Sequence, residues 1–214
     1  MKLHLGCGQK YLEGYINIDY PMTEHSVQQK SVADELANLM ELRYKPGSID
    51  EVRLHHVFEH FSRSTASALL ASWNSWLKEG GVLRIEVPDF EKTGKVALSR
   101  FSSKKGKSVA IRHIFGSQEA HWAVHYHGYT PSGLAAYIES YGFKVQKKDK
   151  NSHLGTYNVD ITAIKQSSKS KAESLAITKD YLSTFMVADV ESERFMLETW
   201  FKEYDLQVEK TFAK

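Results

Sequence analysis

Leu3-His4-Leu5-Gly6-Cys7-Gly8, followed closely by Tyr15-Ile16-Asn17-Ile18-Asp19, is the stretch that decides how this chain folds. A short apolar run entering a Gly-x-Gly turn reads as a strand that delivers two small residues to the mouth of a parallel sheet. Glycine at such a turn lets the backbone approach a ligand, with amide N–H groups available to an anionic group. The second run alternates and closes on Asp19, so it reads as the next strand. A carboxylate at that strand end can accept hydrogen bonds from both hydroxyls of a ribose. The link between the two runs is too short for a crossover helix. A dinucleotide site would need the third glycine of G-x-G-x-x-G and an acid about 20 residues further on. Neither is present, which disfavours NAD; a nucleoside carrying a short amino-acid tail fits the truncated pattern.

Outward from this point, short strand-like runs alternate with helical ones, the pattern of a sheet covered by helices. After Pro46-Gly47, Asp50 to His56 reads as a strand. Ser64 to Glu79 reads as a helix, with Leu69, Leu70, Trp73, Trp76 and Leu77 at helical spacing and Gly80-Gly81 as its stop. Val82 to Val87 is a strand closed by Pro88-Asp89. Thr130-Pro131 starts a helix that runs to Tyr141, with threonine as cap and proline in the first position. Phe143 to Lys148 and Tyr157 to Lys165 read as an antiparallel pair. Lys104, Lys105 and Lys107 read as part of a solvated loop. Gln166 to Lys171 reads as a polar linker, dividing a unit of residues 1–166 from a helical extension of residues 172–214. In that extension Leu197, Trp200, Phe201, Tyr204, Val208 and Phe212 follow a helical rhythm. The apolar face so formed lies outside the site and would pack on the core or on a second subunit, giving a homodimer.

Composition narrows the class. Hydrophobic residues make up 42% of the 214 and charged residues 25%, as in a soluble globular protein. A net charge of +2, with no basic stripe interleaved with aromatics, gives no strong nucleic-acid signal. The single cysteine suits a reducing compartment. No signal-peptide core and no membrane-length apolar run is written, so the expected location is cytoplasmic.

The ten histidines concentrate in two places. His56-Val57-Phe58-Glu59-His60 matches H-x-x-E-H, which on a helix would make a zinc hydrolase. Here His56 concludes a strand-like run, which takes the first ligand off any helix; a hydrogen-bonded Glu59–His60 pair shaping the loop is the plainer reading. His121, His125 and His127 lie among Trp122, Tyr126 and Tyr129, a composition suited to a pocket for a polar organic substrate.

Leu5-Gly6-Cys7-Gly8, Gly14 to Asp19, Asp50-Glu51-Val52 leading to His56-Val57-Phe58-Glu59-His60-Phe61, and Trp76-Leu77-Lys78-Glu79-Gly80-Gly81 running on to Val87-Pro88-Asp89-Phe90 together resemble the methyltransferase type 11 branch of the class I enzymes that use S-adenosylmethionine (SAM). The resemblance covers roughly residues 3 to 165, with Glu79 where proline is usual. It implies an α/β fold, a Rossmann-like three-layer sandwich whose mostly parallel seven-stranded sheet ends in an antiparallel strand, with the C-terminal helices added. It also implies that Gly6, Cys7 and Gly8 lie against the methionine part of SAM and that Asp19 holds the ribose. Asp34 and Leu36 would meet the adenine, and the backbone near His56 would complete the wall. Methyl transfer from SAM is an in-line displacement that depends on positioning. For a hydroxyl acceptor, on a small molecule or glycan, His125 and His127 are the expected general bases, with Asp89 behind them. The rival expectation is an inactive scaffold of the same fold that binds a partner through its C-terminal helices.

Overall fold

The computed structural model describes residues 1–21 and 30–212. Seven strands form one sheet: β1 (Lys2–Leu5), β2 (Ile16–Asp19), β3 (Glu35–Leu36), β4 (Ile49–His55), β5 (Leu77–Pro88), β6 (Phe143–His153) and β7 (Thr156–Lys165). Their spatial order is β3-β2-β1-β4-β5-β7-β6. Among the described residues β7 alone runs against the other strands, antiparallel to β5 on one side and to β6 on the other. The expected fold class is therefore what the chain adopts.

Register sorts the side chains into two unlike faces, because successive residues of a strand point to opposite sides. Leu3 lies beside Ile16 and Val52, and Leu5 beside Ile18 and Leu54. The same rows continue through Leu83, Ile85 and Ile161. Leu3, Val52, Leu54, Leu83, Ile85 and Ile161 have no solvent exposure. The alternate rows are polar: Asn17, His4, Arg53 and Arg84 are neighbours across four strands. Arg84 closes on Asp160 of β7 with Nε 3.0 Å from Oδ1.

The apolar face is covered by α1 (Arg63–Trp76), α4 (Pro131–Ser140), α5 (Lys171–Ser183) and α6 (Glu191–Thr211). Ser62 caps α1 by accepting from the Thr65 amide at 3.1 Å. Nearly the whole of α1 is buried, including Ser67, Ala68, Ala71, Ser72 and Asn74. A helix enclosed on all sides needs small residues where its neighbours approach and partners for its polar groups. Ser67 meets the Tyr137 hydroxyl of α4 at 2.6 Å, and Ser72 meets Thr211 of α6 at 2.7 Å. Trp76 Nε1 donates to the Thr211 carbonyl at 2.9 Å. Tyr204 and Val208 pack against Ala68. The apolar face of α6 is thus used within the chain. The polar segment before α5 is held by buried Asn74, which donates to the Ser167 carbonyl and accepts from the Lys169 amide.

Two local expectations are corrected. The first long helix ends at Trp76, not Glu79, because Leu77 is drawn fully into the sheet beside Ile49. Gly80-Gly81 then lies inside β5, where the register with β4 shifts and a side chain on Gly81 would meet the Lys78 carbonyl at 2.8 Å. The stretch read as a lysine-bearing loop folds as a helical hairpin, α2 (Phe90–Leu98) and α3 (Lys104–Phe115). Lys104 and Lys105 open α3 behind the Ser103 cap. Cations in a first turn oppose the helix dipole, which is why local sequence concealed that start.

Trp76→Ala should cost about 3–5 kcal/mol in chemical denaturation, since it empties a core site and strands the Thr211 carbonyl. Phe195→Ala, exposed on the same α6, should change stability by no more than about 0.5 kcal/mol.

Candidate active site

A cavity of about 670 Å³ opens over the C-terminal ends of β1, β2 and β4. Gly6 and Gly8 form its floor with positive φ angles of 66° and 55°. A side chain at Gly6 would lie 2.3 Å from Val57 Cγ2, so only glycine fits between β1 and the loop after β4. Nothing stands within 4 Å of the corresponding point above Gly8. The expectation that the turn leaves its amides for a ligand is corrected in part, because Gly6 N and Cys7 N both donate to the Ile18 carbonyl, at 2.8 and 3.1 Å. Cys7 lines the cavity with a buried thiol, which burial pushes up to about 11.

No helix joins β1 to β2; side chains hold the connection instead. Asn17 is fully buried. Its Nδ2 donates to the carbonyls of Leu12 and Tyr15 and to Asp34 Oδ2. Its Oδ1 accepts from the Leu12 amide at 2.9 Å and from His4 Nδ1 at 3.0 Å. Asp34 belongs to this knot. Its carboxylate accepts from the Asn17 amide at 2.8 Å and from the Tyr11 hydroxyl at 3.2 Å. Those bonds hold the Asp34 carboxyl below the usual carboxylate range. Asp34 and Leu36 do not line the cavity among the described residues; Asn38, Leu39 and Met40 stand there in their place. Of the two residues expected at the adenine, Asp34 is bonded to Asn17 and Tyr11, and Leu36 is half exposed on the two-residue β3.

Asp19 lies where the sequence put it, at the end of β2 and on the cavity wall. It is 7% exposed. Oδ1 accepts from the Tyr20 amide at 2.9 Å, while buried Oδ2 has no hydrogen-bond partner among the described residues. A carboxylate oxygen withdrawn from water without a donor is costly. It marks the point where a ligand's hydroxyl groups would complete the site.

His56 is held in the left-handed region at φ 54°. Its Nδ1 is 3.2 Å from Glu59 Oε1 and its Nε2 is 3.4 Å from Glu86 Oε1. Burial favours the neutral ring, but the hydrogen bonds and charges of the two carboxylates outweigh it and push His56 up to about 10. Neighbouring His55 goes the other way, to about 4, because burial and the charges of Lys10 and Arg53 disfavour its cation. The H-x-x-E-H stretch is not helical: Phe58–His60 is a short 3-10 turn and His56 stands off it, engaged with carboxylates. The zinc-hydrolase arrangement is therefore not formed.

The three residues expected to act as bases are dispersed. His127 is withdrawn into an aromatic cluster, edge-on to Tyr129 and Phe185 and 3.2 Å from the Tyr181 hydroxyl. Burial and the nearby Arg63 charge push it down to about 4. Asp89 is 2% exposed and caps α2 by accepting from the Lys92 amide at 2.9 Å. His125 lies just behind the cavity, with Nε2 3.9 Å from Glu59 Oε1. His60, His121, Trp122 and Tyr126 are on the wall itself. So is Glu203 of α6, which accepts from Thr65 at 3.1 Å. No local signal distinguished Glu203 among the charges of that helix; the docking of α6 on α1 brings it in.

Comparison with known proteins gives no matching family model and no matching curated protein. Among solved structures, the chain is similar to an S-adenosylmethionine-dependent methyltransferase from Mesorhizobium loti, with 12% identity over 77% of this chain and 90% of that one and a TM-score of 0.52. It is also similar to the 1,6-didemethyltoxoflavin-N1-methyltransferase of Burkholderia thailandensis, solved with 1,6-didemethyltoxoflavin and S-adenosylhomocysteine. There the identity is 16%, the coverage 78% of this chain and 71% of that one, and the TM-score 0.50. The fold is that of SAM-dependent methyltransferases.

Gly6→Ala should lower stability by more than about 2 kcal/mol, through a left-handed alanine and the contact with Val57. In a Val57→Ala background the added loss should shrink toward the roughly 1–2 kcal/mol of the backbone alone; denaturant midpoints of the four proteins in this double-mutant cycle measure it.

Proposed function

We propose that this chain is a SAM-dependent methyltransferase that acts on a hydroxyl of a small-molecule or glycan acceptor. The observation that carries the reading is Asp19: a buried carboxylate at the end of β2 with one oxygen lacking a donor, on the wall of a cavity floored by two left-handed glycines. That arrangement suits a nucleoside joined to an amino acid. Asp19 would accept from the ribose hydroxyls, Gly6, Cys7 and Gly8 would flank the methionine part, and the His56 region would close the wall. Leu39 and Met40 supply an apolar surface for the adenine, with Asn38 beside them. SAM, when bound, supplies an electrophilic methyl group on a sulfonium that departs as a neutral thioether.

The chain's own contribution is to hold the acceptor and take up its proton. Trp122 and Tyr126 offer faces and edges for a sugar ring or another flat acceptor, and His121 offers a polar contact. His125 remains the preferred base of those named from the sequence, now as part of a group with Glu59 and His60. His127 and Asp89 are assigned to packing and capping. The alternative of an inactive scaffold loses ground because α6 spends its apolar face inside the chain and contributes Glu203 to the cavity.

Isothermal titration should give micromolar binding of SAM and of S-adenosylhomocysteine. Asp19→Ala should weaken both at least tenfold, about 1.4 kcal/mol. Folded protein that binds neither ligand would overturn the proposal.

A further inference from the structure

Glu59 and His60, on the turn after β4, meet His125, on the loop between α3 and α4, with ligand atoms of all three within 4.8 Å of one another. The backbone fixes the chemistry of both rings. His60 Nδ1 is 3.1 Å from the Val124 carbonyl, and His125 Nδ1 is 3.1 Å from the His113 carbonyl. A carbonyl can only accept, so each Nδ1 carries a hydrogen, which leaves Nε2 as the ring nitrogen available to a ligand. The third member is Glu59, 1% exposed, whose Oε1 serves His56 while Oε2 has no hydrogen-bond partner among the described residues.

Two imidazoles and a buried carboxylate therefore converge on one point, a ligand set of the kind that surrounds a cation. Nδ1–H donated to a backbone carbonyl is also the usual outer support of a metal-bound histidine, since it orients the ring and raises its basicity.

We propose that Glu59, His60 and His125 bind one divalent transition-metal ion of the zinc class. Two imidazoles and one carboxylate favour such an ion over magnesium or calcium, which prefer oxygen alone. Zinc–nitrogen bonds of about 2.0–2.1 Å in a tetrahedron bring ligand atoms to roughly 3.3 Å apart. The 3.9 Å between His125 Nε2 and Glu59 Oε1 needs only a small closure of side chains to reach that spacing. Three protein ligands leave a fourth position open, and His60 lies on the cavity wall. Resting on the methyltransferase reading, that open position would take the acceptor's hydroxyl oxygen and make its proton easier to lose to solvent, so that His125 would act as a ligand when the metal is bound and as a free base only without it.

Cobalt(II) titrated into chelator-treated full-length protein tests the site through its visible absorption, with zinc as competitor. The expected result is one equivalent bound with a tetrahedral cobalt spectrum that zinc abolishes. His60→Ala and His125→Ala should each weaken binding at least about a hundredfold, with the fold verified by circular dichroism. His153→Ala, at the exposed tip of the β6–β7 hairpin, should leave binding unchanged. Folded wild-type protein that gives no such spectrum, or binding that survives both substitutions, overturns the inference. Titration of S-adenosylhomocysteine into the same metal-free sample separates the two claims. Cofactor binding without metal binding removes this site alone, and metal binding without cofactor binding removes the methyltransferase reading alone.

Discussion

The side chain of Asn17 is the interaction on which the site depends. In a parallel sheet a crossover helix normally fixes the path from one strand to the next. Here the path from β1 to β2 is too short for one, and a single buried amide does the work. It grips the loop at Leu12 and Tyr15, receives His4 from β1 and is itself gripped by Asp34. The glycine turn lies at one end of that loop and Asp19 lies two residues beyond Asn17, so floor and wall of the cavity are set by one knot. The same economy accounts for the polar rows on that face of the sheet, where Asn17, His4, Arg53 and Arg84 replace the apolar residues that a full helical cover would demand.

The opposite face follows the opposite rule. There α1 is enclosed by the sheet, α4 and α6, and its serines and alanines are the condition for that approach. A bulky side chain at Ala68 or Ser72 would push α6 away, and with α6 would go the Trp76–Thr211 bond and Glu203. Through Glu203, α6 thus supplies part of the cavity wall as well as covering the core. Among the described residues no helix is long and apolar enough to cross a membrane.

The histidines divide by their partners. Two carboxylates converging on His56 favour its cation, whereas burial together with the charges of Lys10 and Arg53 disfavours that of His55. His127 is a packing residue because aromatic rings and an arginine enclose it. His60 and His125 have their protons fixed by backbone carbonyls. Residue type alone made all of them equivalent candidates; only their neighbours separate them.

By itself the sequence determined the sheet and the cavity floor. Strand alternation, Gly6-Cys7-Gly8 and Asp19 at a strand end are local patterns, and local backbone sterics are enough to write them. It also determined that a full dinucleotide motif is absent. The tertiary structure decided the rest. Asp34 went to Asn17 instead of the cavity because a buried amide with three donor contacts needs a strong acceptor close by. Leu77 went to the sheet instead of the helix because burial beside Ile49 outweighs one more helical hydrogen bond. Glu203, His60 and His125 came together from segments far apart in the chain. No periodicity records such a meeting, because it is made by the docking of whole elements.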